Sequence, residues 1–226
     1  MCRMILGAGS VSVDYLVDGL QHMATHNGQK HEDGWGIAYR LGPFVHVTKS
    51  PDSCLADLTI NAYRELRPKI VMLHARNASK EVSAENTHPF KFTLGGVPYA
   101  FCHNSWFSQP IPGEGDEYDP KRFLAHVQKF LSPGEEEVSV ARALAALDGF
   151  AGANCMLMRP DKAVVAVRYN QKPEYYQMAI SEDSNGVMVS SEQLPGRSWK
   201  PLADYSLASI TPDGRAEYAD MRRLIS

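Results

Sequence analysis

The chain has 226 residues, 44% apolar and 22% charged, with 23 Lys+Arg against 26 Asp+Glu for a net charge of -3. That length is enough to bury a sizeable core, and so mild an acidity leaves no electrostatic footprint for nucleic acid or an anionic membrane surface. A bilayer span of about 20 apolar residues is missing as well, since the best candidate, VSVARALAALDGFAGANCMLM, is interrupted by Arg142, Asp148 and Asn154.

In chain order, CRMILGAG reads as a short buried strand. VDYLVDGLQHMATH places Leu16, Leu20 and Met23 at helical spacing. GWGIAYRLGPFVHVTKS predicts a hairpin broken at Gly42-Pro43, and LADLTINAYRELRP returns to a helical period that stops before Pro68. KIVMLHARNAS and VPYAFCHNSWF are strands ending in polar residues, and PIPGEGDEYDP is a Gly/Pro loop. KRFLAHVQKFLSPG and EEEVSVARALAALDGF are helices, the second with an acidic start that suits the helix dipole. ANCMLMRP, AVVAVRYN, YYQMAI and GVMVSSE are four strand-like runs, and Met221-Arg222-Arg223 reads as a solvated end. Strands and helices mixed in this order predict an α+β fold in one domain over 1–226. The early Gly/Ser break, Asp14 and the lack of an A-x-A site argue against a secretory leader, so a cytoplasmic protein is expected.

Four cysteines, Cys2, Cys54, Cys102 and Cys155, are widely spaced with no C-x-x-C pair, which suggests neither zinc nor a redox motif. Cys102 and Cys155 sit in apolar runs as small hydrophobes. Cys2 has no such run to pack in, and chain ends fray unless tied down. Removal of Met1 would put its thiol and a free α-amine on one residue. An α-amine has an ordinary pKa of about 7.7–8.0, so part of it is unprotonated near neutral pH and can activate the thiol as a nucleophile. His22, His26 and His31, with Glu32 and Asp33 following, raise the question of a metal site. Without an H-E-x-x-H arrangement and with Asn27-Gly28 intervening, structural or solvent-exposed histidines are expected.

The pieces MCR at the start, EDGWGIAY at 32–39, HARNASKEVSAENTHPF at 74–90 and FCHNS at 101–105, with RYNQKPEYY at 168–176 and VSSEQ at 189–193, resemble in order the class II glutamine amidotransferases, whose nucleophile is an N-terminal cysteine. The resemblance implies a four-layer αββα sandwich of two antiparallel sheets, and dry inner sheet faces would account for AFC and NCMLM. It implies Cys2 as nucleophile and an oxyanion held by the Asn104 side-chain amide and the Ser105 N–H. Serine at 105 departs from the family's glycine, which is strained if the position needs positive φ and intrusive if it needs room. Arg76 would hold the substrate α-carboxylate, with Ser79 in the same loop. A surface ion pair is the competing reading of that arginine. Asp119, or Asp116 after it, is the positional match for an ammonium-binding aspartate whose usual motif is missing; a helix N-cap is the alternative. Backbone groups around His31 would line the site, Gly34 and Gly36 would form the turn beside the nucleophile, and Asn86 and His88 would brace the substrate loop.

The expected activity is hydrolysis of the side-chain amide of glutamine, or of a γ-glutamyl amide, through a Cys2 thioester with release of ammonia. No cofactor and no metal are implied. With 226 residues there is no room for an attached synthase, so an ammonia-accepting partner subunit or a stand-alone γ-glutamyl amide or peptide hydrolase both follow. A catalytically inactive binding or regulatory subunit is the competing class, favoured by Ser105 and the missing aspartate motif. Retention of Cys2, Arg76 and Asn104 together speaks against it.

Overall fold

The structure, a computed structural model, describes residues 2–26, 30–78, 81–108, 111 and 119–226. In chain order its elements are β1 (Arg3–Gly9), α1 (Val13–Thr25), β2 (Trp35–Leu41), β3 (Phe44–Ser50), β4 (Ile70–Ala75), β5 (Phe90–Leu94), β6 (Val97–Phe107), α2 (Asp119–Phe130) and α3 (Glu136–Ala145). They continue as β7 (Phe150–Arg159), β8 (Lys162–Val167), α4 (Pro173–Tyr176), β9 (Ala179–Asp183), β10 (Gly186–Ser190), β11 (Lys200–Pro201), β12 (Ser206–Ile210), β13 (Ala216–Asp220) and α5 (Met221–Leu224).

The strands form two sheets, one ordered β11-β9-β10-β1-β4-β2-β3 and the other β13-β12-β8-β7-β6-β5. Every strand pairing is antiparallel. The central strands are buried on both faces, so alternate residues feed different cores. Met4, Leu6 and Ala8 of β1 point inward with Met72 of β4, Ala100 and Cys102 of β6, and Met156 and Met158 of β7. Ile5 of β1 points the other way, toward Leu16 and Leu20 of α1, with Trp35 and Leu73. On the second sheet Tyr99, Phe101, Cys155 and Leu157 face Phe123 and Val127 of α2 and Val140 and Leu144 of α3. Three dry cores between four layers are the αββα sandwich. Leu16 and Leu20 are fully buried, each a gain of about 1.5–3 kcal/mol over exposure, and Ser12 caps their helix by accepting from the Tyr15 N–H.

Several elements differ from expectation. LADLTINAYRELRP forms only a 3-10 helix at Leu58–Tyr63, because Leu55 and Leu58 are exposed and only Ile60 of that helix is buried. YYQMAI is divided, its tyrosines ending α4 and its Ala179 opening β9. The acidic-start helix stops at Ala145, and Phe150 already belongs to β7. The basic tail is a helical turn, α5, that buries Met221 against the α2–α3 core while Arg222 pairs with Asp220. Among the described residues no helix is long and apolar enough to cross a membrane.

Candidate active site

β1 begins one residue after Cys2. In its sheet Arg3 pairs with Ala75 at the end of β4, which brings Arg76 alongside. Facing it across the sandwich is β6, whose even-numbered side chains Ala100 and Cys102 point into the inter-sheet core. Asn104 is next on that face, and its Oδ1 accepts a 3.1 Å hydrogen bond from the Cys2 backbone N–H. That contact turns the donor end of the amide, Nδ2, away from the Cys2 nitrogen. Cys2 is partly buried and Asn104 fully so. Burial pushes the Cys2 thiol up, against the lowering pull of the Asn77 backbone N–H and of the Arg76 and Arg3 guanidiniums.

Ser105 lies in the extended strand; apart from glycines, the described residues with left-handed φ are Lys172 and Tyr205. Serine is therefore unstrained here. The opposing residue, Ala153, gives its N–H to Arg168 on the other side of β7. Ser105 and Ala153 thus form a non-hydrogen-bonded pair, which directs the Ser105 N–H away from β7. β5 pairs with β6 only as far as Phe90, opposite Phe101, so among the described residues no strand is paired with β6 on that side at residue 105. The Ser105 side chain is on the helix-facing side, where Oγ lies 2.8 Å from His103 Nδ1.

Arg76 is 4% exposed. Its Nη2 donates to the Glu81 carbonyl at 3.0 Å, while Nη1 is buried with no hydrogen-bond partner among the described residues. An arginine donor with no anion against it is costly to bury and suits a planar carboxylate ligand. The backbone around it is held by the EDGWG turn: the Arg76 N–H donates to the Gly34 carbonyl, the Asp33 N–H donates to the Arg76 carbonyl, and Asp33 Oδ2 accepts from the Ala78 N–H at 2.7 Å. Gly34 has φ +123, and a Cβ on Gly36 would stand 2.1 Å from the His88 carbonyl, so the turn packs directly on the ENTHPF segment. Asn86 and His88 are both buried there. Asn86 donates its N–H to Ser83 Oγ, and its own Oδ1 is unpartnered among the described residues.

His31 is fully buried, with its backbone N–H on the Ala24 carbonyl at the end of α1 and its Nδ1 3.3 Å from the same oxygen. His22 and His26 stack at 5.1 Å, and His26 Nδ1 meets Glu192 Oε2 at 2.7 Å. Glu192 also binds Arg3, which is 3% exposed. Among the described residues no group of three or more His, Cys, Asp or Glu side chains is placed to hold a metal ion. Ser79 and Asp116 lie outside the described residues, as does the side chain of Asp119, whose backbone opens α2.

Sequence reasoning overlooked a buried imidazole cluster at this end of the sandwich. The rings of His74 and His88 are 4.4 Å apart, as are those of His88 and His103. Burial holds all three well below the ordinary histidine range, His103 down to about 3, and each ring also disfavours charge on its neighbours. They are therefore neutral at physiological pH. Asp33 was passed over as well. The available signals were a polar residue closing each apolar strand in LHAR and CHNS, and an aspartate opening a glycine turn.

A cysteine at a strand end, an amide opposite it and a buried arginine with one unsatisfied donor thus meet at one end of an αββα sandwich. Residues 1–121 match the family model of the class II glutamine amidotransferases, and the chain belongs to that family. It is 29% identical over 109 residues to an Escherichia coli K12 protein named "Putative glutamine amidotransferase YafJ", covering 46% of this chain and 42% of that one. The chain spans less than half the length of the curated relatives it matches. Among solved structures, the glutamine phosphoribosylpyrophosphate amidotransferase of B. subtilis superposes with a TM-score of 0.73 at 14% identity, covering 98% of this chain and 49% of that one. A class-II domain protein from Silicibacter pomeroyi gives 0.66 at 14% identity, covering 97% and 99%. At such identities the likeness bears on the fold.

Proposed function

We propose that the protein hydrolyses the side-chain amide of glutamine or of a γ-glutamyl amide, with Cys2 as an N-terminal nucleophile once Met1 is removed. The observation that carries this reading is the hydrogen bond from the Cys2 nitrogen to Asn104 Oδ1, which joins the nucleophile to its oxyanion donor across the two sheets. Burial raises the Cys2 thiol pKa, which favours activation by a base, and the freed α-amine is the nearest one. It takes the thiol proton as sulfur attacks the amide carbon. The developing oxyanion is received by Asn104 Nδ2 and the Ser105 N–H, with the substrate carboxylate paired to Arg76. The protonated amine then delivers its proton to the departing nitrogen, ammonia leaves, and water resolves the thioester to glutamate. Released ammonia is either lost to solvent or passed to a partner synthase.

Intact mass, before and after incubation with a diazo-ketone analogue of glutamine, tests the reading. The expected result is a native protein lacking Met1 that gains one adduct, mapped to Cys2. Retention of Met1, or labelling that spares Cys2, would overturn it.

A further inference from the structure

In an extended strand, residues two apart share a face, and on β6 that puts His103 and Ser105 side by side on the helix-facing side. His103 is 5% exposed, packed edge-on to Phe123 of α2 at 5.0 Å and to His88 at 4.4 Å. Its ring is thus fixed from two directions, and its Nδ1 is 2.8 Å from Ser105 Oγ. A serine hydroxyl has three staggered positions. Left free, it competes for nearby backbone N–H groups, its own included. At residue 105 that N–H is the group the proposed reaction needs, and among the described residues no strand pairs with β6 on that side.

We propose that His103 is a positioning residue that ties the Ser105 hydroxyl to the helix-facing side of β6 and so keeps the Ser105 N–H available to the oxyanion. The inference rests on the glutaminase reading for its catalytic consequence, but its structural content stands separately. It also accounts for a serine where the family carries glycine: the added hydroxyl is tolerable because a buried imidazole is already in place to hold it. His103 touches neither substrate nor nucleophile and acts only through Ser105.

The test is a double-mutant cycle of His103→Phe, which keeps an aromatic ring among Phe101, Phe123 and His88 but removes the hydrogen bond, with Ser105→Gly, which removes the hydroxyl. Expected for His103→Phe is a fall in kcat of about 10-fold to 100-fold with KM within about twofold of wild type, as for an interaction used in the transition state. In the Ser105→Gly background the same His103→Phe change should cost less than about threefold. A loss of equal size in both backgrounds, or none in either, would overturn the proposal. Crystal structures of wild type and His103→Phe give a readout that does not depend on activity. Rotation of Ser105 Oγ out of its wild-type rotamer is expected in the variant, and an unmoved Oγ would overturn the proposal even if kcat fell. A wild-type protein that neither hydrolyses glutamine nor labels at Cys2 would defeat the glutaminase reading instead, and the Ser105 rotamer would still decide the role of His103. Should His103→Phe fail to fold, His103→Gln serves in the same cycle. Its shorter, flexible amide is expected to keep part of the hydrogen bond and lose less than tenfold in kcat, and a full loss unrelieved by Ser105→Gly would overturn the proposal.

Discussion

The two ends of β1 are built on opposite terms. At its C-terminal end the backbone closes on itself: the Gly9 N–H donates to Lys69, the Ser10 N–H donates to Asn185, and Gly186 lies so close to Ala8 that a Cβ would come within 2.0 Å of the Ala8 carbonyl. At its N-terminal end, buried polar atoms without hydrogen-bond partners among the described residues gather, from Arg3, His74, Arg76, Asn86, His88 and His103. Most of the other such atoms among the described residues belong to charged groups held in ion pairs, such as Arg159 with Asp161 and Glu136 with Lys162, as Arg3 is with Glu192. Native proteins rarely leave such groups unpaired, and departures from local consistency collect where function is placed. One end of the strand is closed by backbone packing; the other gathers the polar groups that the proposed reaction would use.

The sharpest way to break this contrast is to substitute at each end. Gly186→Ala forces a side chain onto φ +129 and into the Ala8 carbonyl. Strain and overpacking together should cost about 3 kcal/mol or more, lowering Tm by about 10 °C for a chain of this size. Because β1 separates the site from this end by about 20 Å, the variant's kcat at a temperature where it stays folded should be unchanged. A catalytic defect measured on folded protein would show the closed end is part of the site. Arg76→Ala makes the opposite trade. Losing a charge-assisted pair with the substrate carboxylate should reduce kcat/KM for glutamine by about 2–3 kcal/mol, or about 100-fold, while thermal melting shows whether the orphaned donor was costing stability in the free protein.

The imidazole cluster sharpens the contrast through pH. A histidine held neutral in the fold takes up its proton only on unfolding, so its contribution is fully present above the ordinary pKa of about 6.5 and declines as pH falls toward the folded value. For His103 that window runs down to about 3, and His74 and His88 are shifted in the same direction. Below pH about 6, urea titrations should show stability falling by up to about 1.4 kcal/mol per pH unit for each histidine. Glu136, held down to about 2 against burial by the Gly134 N–H and by Lys162, Tyr99 and Arg159, adds its own acid loss only below about pH 4.5. The interval from 6 to 4.5 therefore reports mainly the cluster, and His88→Phe should flatten the slope there by about one proton.

How much of this was legible differs between the same two regions. The strands that frame the site announce themselves: RMILGAG is an apolar run, IVMLHA and VPYAFCHN are apolar runs closed by polar residues, and their order along the chain matches a family pattern. β5 drew no strand expectation although Phe90 and Phe92 alternate with Lys91 and Thr93, because five residues between a proline and a Gly-Gly turn make too short a run. The C-terminal strands β12 and β13 were missed because half of β13 is solvent-facing and carries no clear alternation. The histidine cluster could not be read at all. His74, His88 and His103 are brought together only by β4, the ENTHPF segment and β6 meeting in space, and nothing local to any of them marks the others.

The finest test sets Cys2, just ahead of β1, against Cys102 on the facing strand β6. Cys102 points between the sheets and is completely buried, its Sγ 3.5 Å from Met4 Sδ and 3.6 Å from Met72 Sδ. Burial, with Cys155 and Cys2 nearby, pushes its thiol well above the ordinary value, so almost no thiolate exists to react and no path leads to it. Cys102→Ala removes one sulfur from a core rich in deformable methionines, which can relax into the space. The expected cost is about 1 kcal/mol of stability, with kcat, KM and the stoichiometry of diazo-ketone labelling unchanged. Depth within the sandwich, rather than the thiol itself, would then be what separates the two cysteines. If Cys102→Ala instead reduced labelling at Cys2, the packing beneath Asn104 would have to be counted among the forces that position the nucleophile, and the division between a stabilising interior and a reactive edge would move one residue inward.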